Sequence, residues 1–186
     1  MRSERARHNK IVFSGTVGAG KSTAIAALSD IPPVSTEADA TDETADIKKT
    51  TTVAMDYGLL SLPDGEKVML YGTPGQERFS FMWEILSEGG IGLILLINND
   101  TPAPLDDLER YLKAFKNFIA STAVAIGVTH MDKAPVPSLD TYRAKLAEVG
   151  LHPMPAVFRV DARSREDVAT LVKALLFTLN PGLIDA

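Results

Sequence analysis

The chain has 186 residues, of which 45% are hydrophobic and 23% charged, and its formal net charge is −5. This length and composition predict a single globular domain with a sizeable apolar core. The acidic balance, with no basic stripe, argues against a nucleic-acid partner. The absence of cysteine excludes disulfides and cysteine–zinc sites. The longest apolar stretch, Ile91–Ile97, is far too short to cross a bilayer.

The start of the chain carries no targeting or lipidation signal. Prenylation and palmitoylation both need a cysteine, and N-myristoylation needs a glycine where this chain has Arg2. The charged start is not followed by the apolar run of a signal peptide. We therefore expect a cytoplasmic protein without a lipid anchor, in which residues 1–9 form a solvated tail and residues 10–186 a single domain.

Segments with strand and helix patterns alternate along the chain. The predicted strands are apolar or rich in β-branched residues; in order they are Lys10–Gly15, Val53–Leu62, Lys67–Tyr71, Ile91–Ile97, Ala123–Val128 and Pro155–Val160. The predicted helices have apolar residues at helical spacing over Gly20–Ser29, Leu108–Ile119, Leu139–Val149 and Val168–Leu179. The polar segment Asp30–Thr51 lacks a period and is predicted as a loop, whose length suggests extra structure such as an added edge strand or a partner-binding segment. This alternation predicts an α/β fold with a mostly parallel sheet covered on both faces.

A complete phosphate-loop motif lies between the first predicted strand and the first predicted helix. The glycines allow a backbone that curls its N–H groups around phosphate oxygens. Lys21 can reach the β- and γ-phosphates, and the Ser22 hydroxyl can ligate Mg²⁺. The positive end of the following helix favours the same anions. The predicted phosphate-binding residues of this motif are Gly15, Val17, Gly18, Ala19, Gly20, Lys21, Ser22 and Thr23.

Two further segments are candidates for sensing a terminal phosphate. Gly75 offers an N–H to that phosphate, and Gln76 can orient a water for attack on it; a plain turn after Thr73-Pro74 is the alternative. Thr52, just before a predicted strand, can bind Mg²⁺ and the γ-phosphate, although threonine also simply favours strands. We therefore predict Gln76, Lys21 and Thr52 as catalytic residues and Ser22 and Thr52 as metal ligands.

Polar residues after the last two predicted strands are candidates for binding a base. The Asp132 carboxylate can accept two hydrogen bonds from guanine N1 and N2, a donor pattern that adenine lacks. The Ala162 N–H can reach the guanine carbonyl. A helix cap or turn is the alternative for Asp132. The predicted base-binding residues are Thr129, His130, Asp132, Ala162 and Arg163.

These motifs together resemble those of the Ras-like small GTPase superfamily of P-loop NTPases. The phosphate loop, the two sensor segments and the two base-binding segments occur in the order of that family and after the corresponding strands, between Lys10 and about Asn180. Thr52–Tyr57 and Gly75–Phe79 look most like Rab-type switch segments. The Thr-Pro-Gly-Gln form and the missing lipid signals look more like prokaryotic small GTPases of the MglA type.

The resemblance implies a three-layer G domain, a mostly parallel central sheet with helices on both faces. It also implies GTP, GDP and Mg²⁺ as ligands, with one shape bound to GTP and another bound to GDP. Effectors and GTPase-activating proteins are expected at residues 30–52 and 73–88, the loops that sense the γ-phosphate.

The sequence departs from the family at several site positions. Gly72 stands where the family usually has an aspartate that holds Mg²⁺ through water, which implies weaker Mg²⁺ binding, although MglA-type proteins also lack it. His130 and Arg163 each replace a lysine at the base site. Val17 replaces the glycine of Ras beside the γ-phosphate, and no arginine lies between Ser22 and Thr52. These last two departures imply slow intrinsic hydrolysis and a need for an arginine from a partner.

Three functions fit these features. The leading one is a regulatory GTPase in which water attacks the γ-phosphate with help from Mg²⁺. The second is a nucleotide-binding pseudo-GTPase scaffold, which Gly72 and Val17 favour and Gln76 opposes. The third is a P-loop kinase or ATPase that uses ATP, although no compact arginine cluster follows residue 79 before Arg159.

Overall fold

The computed structural model describes residues 9–35, 55–63, 65–75 and 80–180. Strands and helices alternate along these residues, as the sequence predicts. In chain order they are β1 (Asn9–Gly15), α1 (Lys21–Leu28), β2 (Val34–Ser35), β3 (Asp56–Ser61), β4 (Lys67–Gly72), α2 (Ser80–Ser87), β5 (Gly92–Asn98), α3 (Pro104–Ala114), α4 (Lys116–Ser121), β6 (Val124–Thr129), α5 (Leu139–Val149), β7 (Ala156–Arg159) and α6 (Arg165–Leu179).

The strands of the described residues form one seven-stranded sheet in the order β2-β3-β4-β1-β5-β6-β7. Five strands, from β4 to β7 in that order, run parallel. Only β3 runs antiparallel to its neighbours β4 and β2. The first residue of β3, Asp56, therefore lies at the same edge of the sheet as the last residue of β4, Gly72. This edge collects the carboxyl ends of the parallel strands, where ligands of open α/β sheets bind.

Alternating residues along the central strands feed two separate apolar cores, because successive side chains of a strand point to opposite faces. Ile11 and Phe13 of β1 pack with α1 and α6 on one face. Val12 of the same strand packs with α2, α3 and α5 on the other. The α/β fold with helices on both faces of a mostly parallel sheet is therefore confirmed.

Side-chain caps fix where the last two helices begin. The Ser138 hydroxyl accepts a hydrogen bond from the Thr141 N–H at the start of α5, and Ser164 accepts one from Asp167 at the start of α6. Such caps satisfy N–H groups that the first helical turn leaves unpaired. They also fix where the loops before these helices end, and both loops lie beside the functional site described below.

The structure differs from the sequence prediction in three places. Val34–Ser35 forms a short edge strand inside the segment predicted as a loop. The predicted helix over 108–119 is two helices that meet at Phe115. Helix α2 was not predicted, because its exposed face carries Phe81 and Ile85, each 59% exposed, and so lacks the polar stripe of a surface helix.

The division into a tail and a single domain stays a prediction, since residues 1–8 lie outside the described residues. Asn9, the last residue of the predicted tail, opens β1. Among the described residues, every helix is too short or too polar to span a bilayer.

Candidate functional site

The loop between β1 and α1 is shaped by glycines that admit no side chain. Gly15 has φ 144°, and a Cβ there would lie 2.0 Å from the carbonyl oxygen of Leu96. Gly20 has φ 92°, and its Cβ would lie 2.7 Å from the Cβ of Ala162. Both φ values favour glycine. Glycine therefore lets the loop press against β5 on one side and against the segment after β7 on the other.

The Lys21 ammonium is folded back onto this loop. Its Nζ donates hydrogen bonds to the carbonyl oxygens of Gly15, at 2.8 Å, and Thr16, at 2.7 Å. The residue is only 8% exposed. Burial lowers the pKa of Lys21 to about 8, and the nearby Asp56 carboxylate opposes that shift. A poorly hydrated cation at the start of a helix is a strong site for an anion.

Residues after β6 brace the other side of the loop. The buried Thr129 hydroxyl donates to the carbonyl oxygen of Ala19 at 3.0 Å. His130 has φ 59°, a conformation in which histidine is enriched among non-glycine residues. In this conformation its Nε2 lies 3.0 Å from the Gly18 carbonyl oxygen, a hydrogen bond when Nε2 carries the proton. The segment predicted to bind a base is thus tied directly to the segment predicted to bind phosphate.

The segment after β7 closes the same side of the site. Arg163 donates two hydrogen bonds to the Asp161 carboxylate, at 2.9 Å and 2.7 Å. These bonds lower the pKa of Asp161 to about 2, so the carboxylate is charged at neutral pH. The bidentate geometry holds the planar guanidinium in one orientation. Ala162, between these two residues, lies against Gly20.

A cavity of about 700 Å³ joins the phosphate loop to both of these segments. Its lining includes ten of the residues predicted to bind phosphate or base: Gly18, Gly20, Lys21, Ser22, Thr23, Thr129, His130, Asp132, Ala162 and Arg163. The cavity also has lining residues that were not predicted, namely Met131, Lys133, Arg159, Val160, Asp161 and Asp167. The structure therefore brings the two predicted sets of residues into one space.

A buried amide holds the loop that follows Asp132. Asn99 Nδ2 donates to the carbonyl oxygens of Ala134, at 2.6 Å, and Pro137, at 3.1 Å. Its Oδ1 accepts a hydrogen bond of 2.7 Å from the Tyr142 hydroxyl. This network was not predicted from the sequence, because its members come from the residue after β5, from α5 and from the loop between β6 and α5. It fixes the backbone on which Asp132 sits.

Gly75, at the start of the predicted sensor segment that contains Gln76, lies against the phosphate loop. A Cβ on Gly75 would be 2.8 Å from the Val17 nitrogen and 2.9 Å from Lys21 Nζ. The Tyr111 hydroxyl donates to the Gly75 carbonyl oxygen at 3.2 Å, and Trp83 Nε1 donates to that of Pro74 at 2.9 Å. The two rings stack with centroids 4.7 Å apart. Helices α2 and α3 are therefore coupled to the position of Gly75.

The Ser22 hydroxyl, the predicted metal ligand, donates to Asp56 Oδ2 at 2.5 Å. Asp56 was not predicted as a site residue. The signal that points to it is in the sequence: a carboxylate at the start of β3, four residues after Thr52, in a chain that has glycine at position 72. Only the strand pairing shows that positions 56 and 72 are opposite each other.

Some predicted site residues lie elsewhere. Gly15, Val17, Ala19 and Gly75 belong to the phosphate loop or pack against it, but they do not line the cavity. Thr52 and Gln76 lie outside the described residues. Their roles as metal ligand and catalytic residues stay predictions.

The pKa of Lys21 predicts how stability depends on pH. Because the folded pKa, about 8, lies below the usual 10.5, the unfolded chain binds more protons than the folded chain between these values. Stability should therefore rise with pH in that window. The Lys21→Met variant lacks this titration. In urea unfolding, the free energy of unfolding of wild type should rise by on the order of 1–2 kcal/mol relative to that of Lys21→Met between pH 7.5 and 9.5. A difference that does not change with pH would contradict the burial of this ammonium.

One family model that matches the sequence agrees with a nucleotide site. A family model described as "Conserved hypothetical ATP binding protein" matches residues 13–136. An uncharacterized protein of Methanocaldococcus jannaschii, MJ1339, is 31% identical over 90 residues, which cover 48% of this chain and 54% of that protein. The chain therefore spans about half the length of this curated relative.

The fold also matches a solved structure. The crystal structure of the bacterial selenocysteine-specific elongation factor EF-Sec superposes with a TM-score of 0.64 at 20% identity. The match covers 93% of this chain and 29% of that chain. At this identity the likeness shows the fold alone, a mostly parallel sheet with helices on both faces. Since the family model covers about two thirds of the chain, this nucleotide-binding P-loop protein belongs to the family of conserved hypothetical ATP-binding proteins.

Proposed function

We propose that this protein is a small GTP-binding switch protein that hydrolyses GTP slowly with Mg²⁺. The observation that carries the proposal is that Lys21 and Asp132 line one cavity of about 700 Å³. The first is a phosphate-loop cation and the second a carboxylate suited to guanine. One nucleotide would place its phosphates at the first and its base at the second.

The chemistry of Asp132 favours guanine over adenine. A carboxylate accepts hydrogen bonds, and guanine presents two adjacent donors, N1–H and the N2 amino group. Adenine has an acceptor at N1 and no amino group at C2, so the carboxylate would face a lone pair. A site that accepts hydrogen bonds from a ligand rejects an analogue without those donors, because the acceptors of the site are then left unpaired. His130 and Arg163 provide planar groups that can stack on the base.

Hydrolysis would proceed by attack of water on the γ-phosphorus. The bond to the oxygen bridging the β- and γ-phosphates breaks, which gives GDP and inorganic phosphate. Lys21 and the loop N–H groups would stabilise the charge on the phosphate oxygens, and Gln76 would orient the water. Ser22 and Thr52 would hold Mg²⁺, which neutralises charge on the β- and γ-phosphates when bound.

Two features support a slow reaction. Val17 is 64% exposed, and its nitrogen lies close to the place a side chain on Gly75 would take. The branched side chain of Val17 would therefore crowd a water-orienting residue or an arginine supplied by a partner. The sequence between Ser22 and Thr52 contains no arginine, and an arginine finger supplies roughly 10³–10⁵ in rate.

Two other functions remain alternatives. The description of the family names ATP, which favours a P-loop ATPase or kinase. A pseudo-GTPase scaffold that holds nucleotide without turnover fits Gly72 and Val17. Base preference distinguishes the first alternative from the proposal, and turnover distinguishes the second.

The partner surfaces would be residues 30–52 and 73–88, where effectors and GTPase-activating proteins would bind in the cytoplasm. Support comes from helix α2, which belongs to the second range. Its Trp83 bonds to Pro74 and stacks on Tyr111, which itself bonds to Gly75. A phosphate that moves Gly75 would thereby move α2, whose Phe81 and Ile85 face outward.

An Asp132→Asn substitution tests the base site. The amide keeps one acceptor but presents an amino group to the guanine N2 amine, so GTP affinity should fall roughly tenfold to a hundredfold. Xanthine has an oxygen where guanine has that amine, and XTP affinity should rise. The measurement is competition of GTP, XTP and ATP against a fluorescent nucleotide. ATP binding serves as the internal control and should not change.

An unchanged GTP and XTP affinity in Asp132→Asn would contradict guanine recognition by this residue. A fall in ATP affinity of similar size would show instead that Asp132 maintains the loop.

A Gln76→Leu substitution tests hydrolysis. Single-turnover assays should show slow GTP cleavage by wild type and a rate lower by about 10²-fold in the variant, since the attacking water loses its orienting partner. GTP affinity, measured in parallel, should stay the same because Gln76 acts on the water. Equal rates in both proteins would remove Gln76 from the mechanism. Rapid hydrolysis by isolated wild type would contradict the proposed slow switch.

A further inference from the structure

The end of β4 is crowded at the position where related GTPases have a carboxylate. Position 72 is glycine, and a Cβ on it would lie 3.1 Å from both the Cβ and Oδ2 of Asp56. The same Cβ would be 3.0 Å from Ile25 Cδ1. These distances are tighter than ordinary contacts. A side chain at position 72 and the present side chain at position 56 would therefore compete for one space.

The Asp56 side chain reaches this space from the neighbouring strand. Asp56 and Gly72 are register partners in the antiparallel ladder of β3 and β4. Asp56 Oδ2 accepts the 2.5 Å hydrogen bond from the Ser22 hydroxyl. The carboxylate also interacts with the Lys21 ammonium. It therefore interacts with both of the phosphate-loop residues that would face the cation and the phosphates.

We propose that Asp56 supplies the carboxylate of the magnesium site, replacing across the strand pair the aspartate that position 72 lacks. The proposal rests on the proposed binding of a nucleoside triphosphate. Hydroxyl and carboxylate oxygens are the donors that Mg²⁺ prefers, and it is commonly held by one or two carboxylates together with substrate phosphates. Within the described part of the chain, no group of three or more His, Cys, Asp or Glu side chains offers an all-protein cation site.

The relocation changes which part of the chain the cation would control. A carboxylate at position 72 would belong to the segment that leads into Gly75 and Gln76. Asp56 instead opens β3 and follows Thr52 by four residues. Mg²⁺ bound through Asp56 would therefore act on the start of β3 rather than on the end of β4.

The test is the Mg²⁺ dependence of nucleotide binding in Asp56→Asn. The amide is nearly isosteric but lacks the charge. The dissociation rate of a fluorescent GTP analogue is measured across a Mg²⁺ titration and in EDTA. The Mg²⁺ concentration giving half-maximal slowing should rise on the order of tenfold to a hundredfold. Affinity in EDTA should match wild type. Asp140→Asn, which changes a carboxylate on exposed α5 with a side chain 90% exposed, is the matched control and should leave both values unchanged.

A second variant moves the carboxylate back. In Asp56→Gly/Gly72→Asp the two contacts with the Asp56 side chain are removed and only the contact with the end of the Ile25 side chain remains. The Mg²⁺ requirement should then return toward the wild-type value. The proposal is overturned if Asp56→Asn keeps the wild-type Mg²⁺ requirement, or if its affinity falls equally in Mg²⁺ and in EDTA. A folded double variant that behaves like Asp56→Asn also counts against it.

This test can fail independently of the test of the proposed function. If wild type prefers ATP, guanine recognition fails, but the same titration with an ATP analogue still tests Asp56. If wild type binds GTP equally well with and without Mg²⁺, the role of Asp56 fails while guanine recognition stands.

Discussion

A buried ammonium on a curled backbone is the feature on which the rest of the site depends. Lys21 lies at the start of α1 with two carbonyl oxygens as its hydrogen-bond acceptors. The first of those carbonyls belongs to Gly15, which has a φ of 144° and packs against Leu96. The ammonium is partly stripped of water, which its lowered pKa reports. An anionic phosphate would supply the negative charge that the neutral carbonyl acceptors do not provide to this cation.

The neighbouring elements hold the loop in that shape from several directions. Thr129 and His130 bond to its carbonyls at Ala19 and Gly18. Ala162 packs on Gly20. These contacts join residues more than a hundred positions apart in sequence to the phosphate loop. Rigid positioning of this kind lets one cavity accept both ends of a nucleotide, since neither end needs to be organised when the ligand arrives.

The local parts of this site could be predicted from sequence, and the parts that depend on strand pairing could not. The phosphate loop is a continuous motif between a strand and a helix, and the strand that places Asp132 at the sheet edge has a clear apolar pattern. The Asp56 contact depends on the register between β3 and β4, which a one-dimensional pattern does not contain. Thr129 lines the cavity as a predicted base-binding residue, but the hydrogen bond from its hydroxyl to the Ala19 carbonyl oxygen was not predicted. Helix α2 escaped prediction because apolar residues lie on its exposed face as well as its buried one.

We propose that this cavity selects a guanine nucleotide by Asp132 and holds its phosphates by Lys21. A titration of the purified protein with GTP, GDP and ATP in the presence of Mg²⁺ tests this directly. We expect tight binding of GTP and GDP and much weaker binding of ATP. Equal or tighter binding of ATP would contradict it and would assign the cavity to an adenine nucleotide.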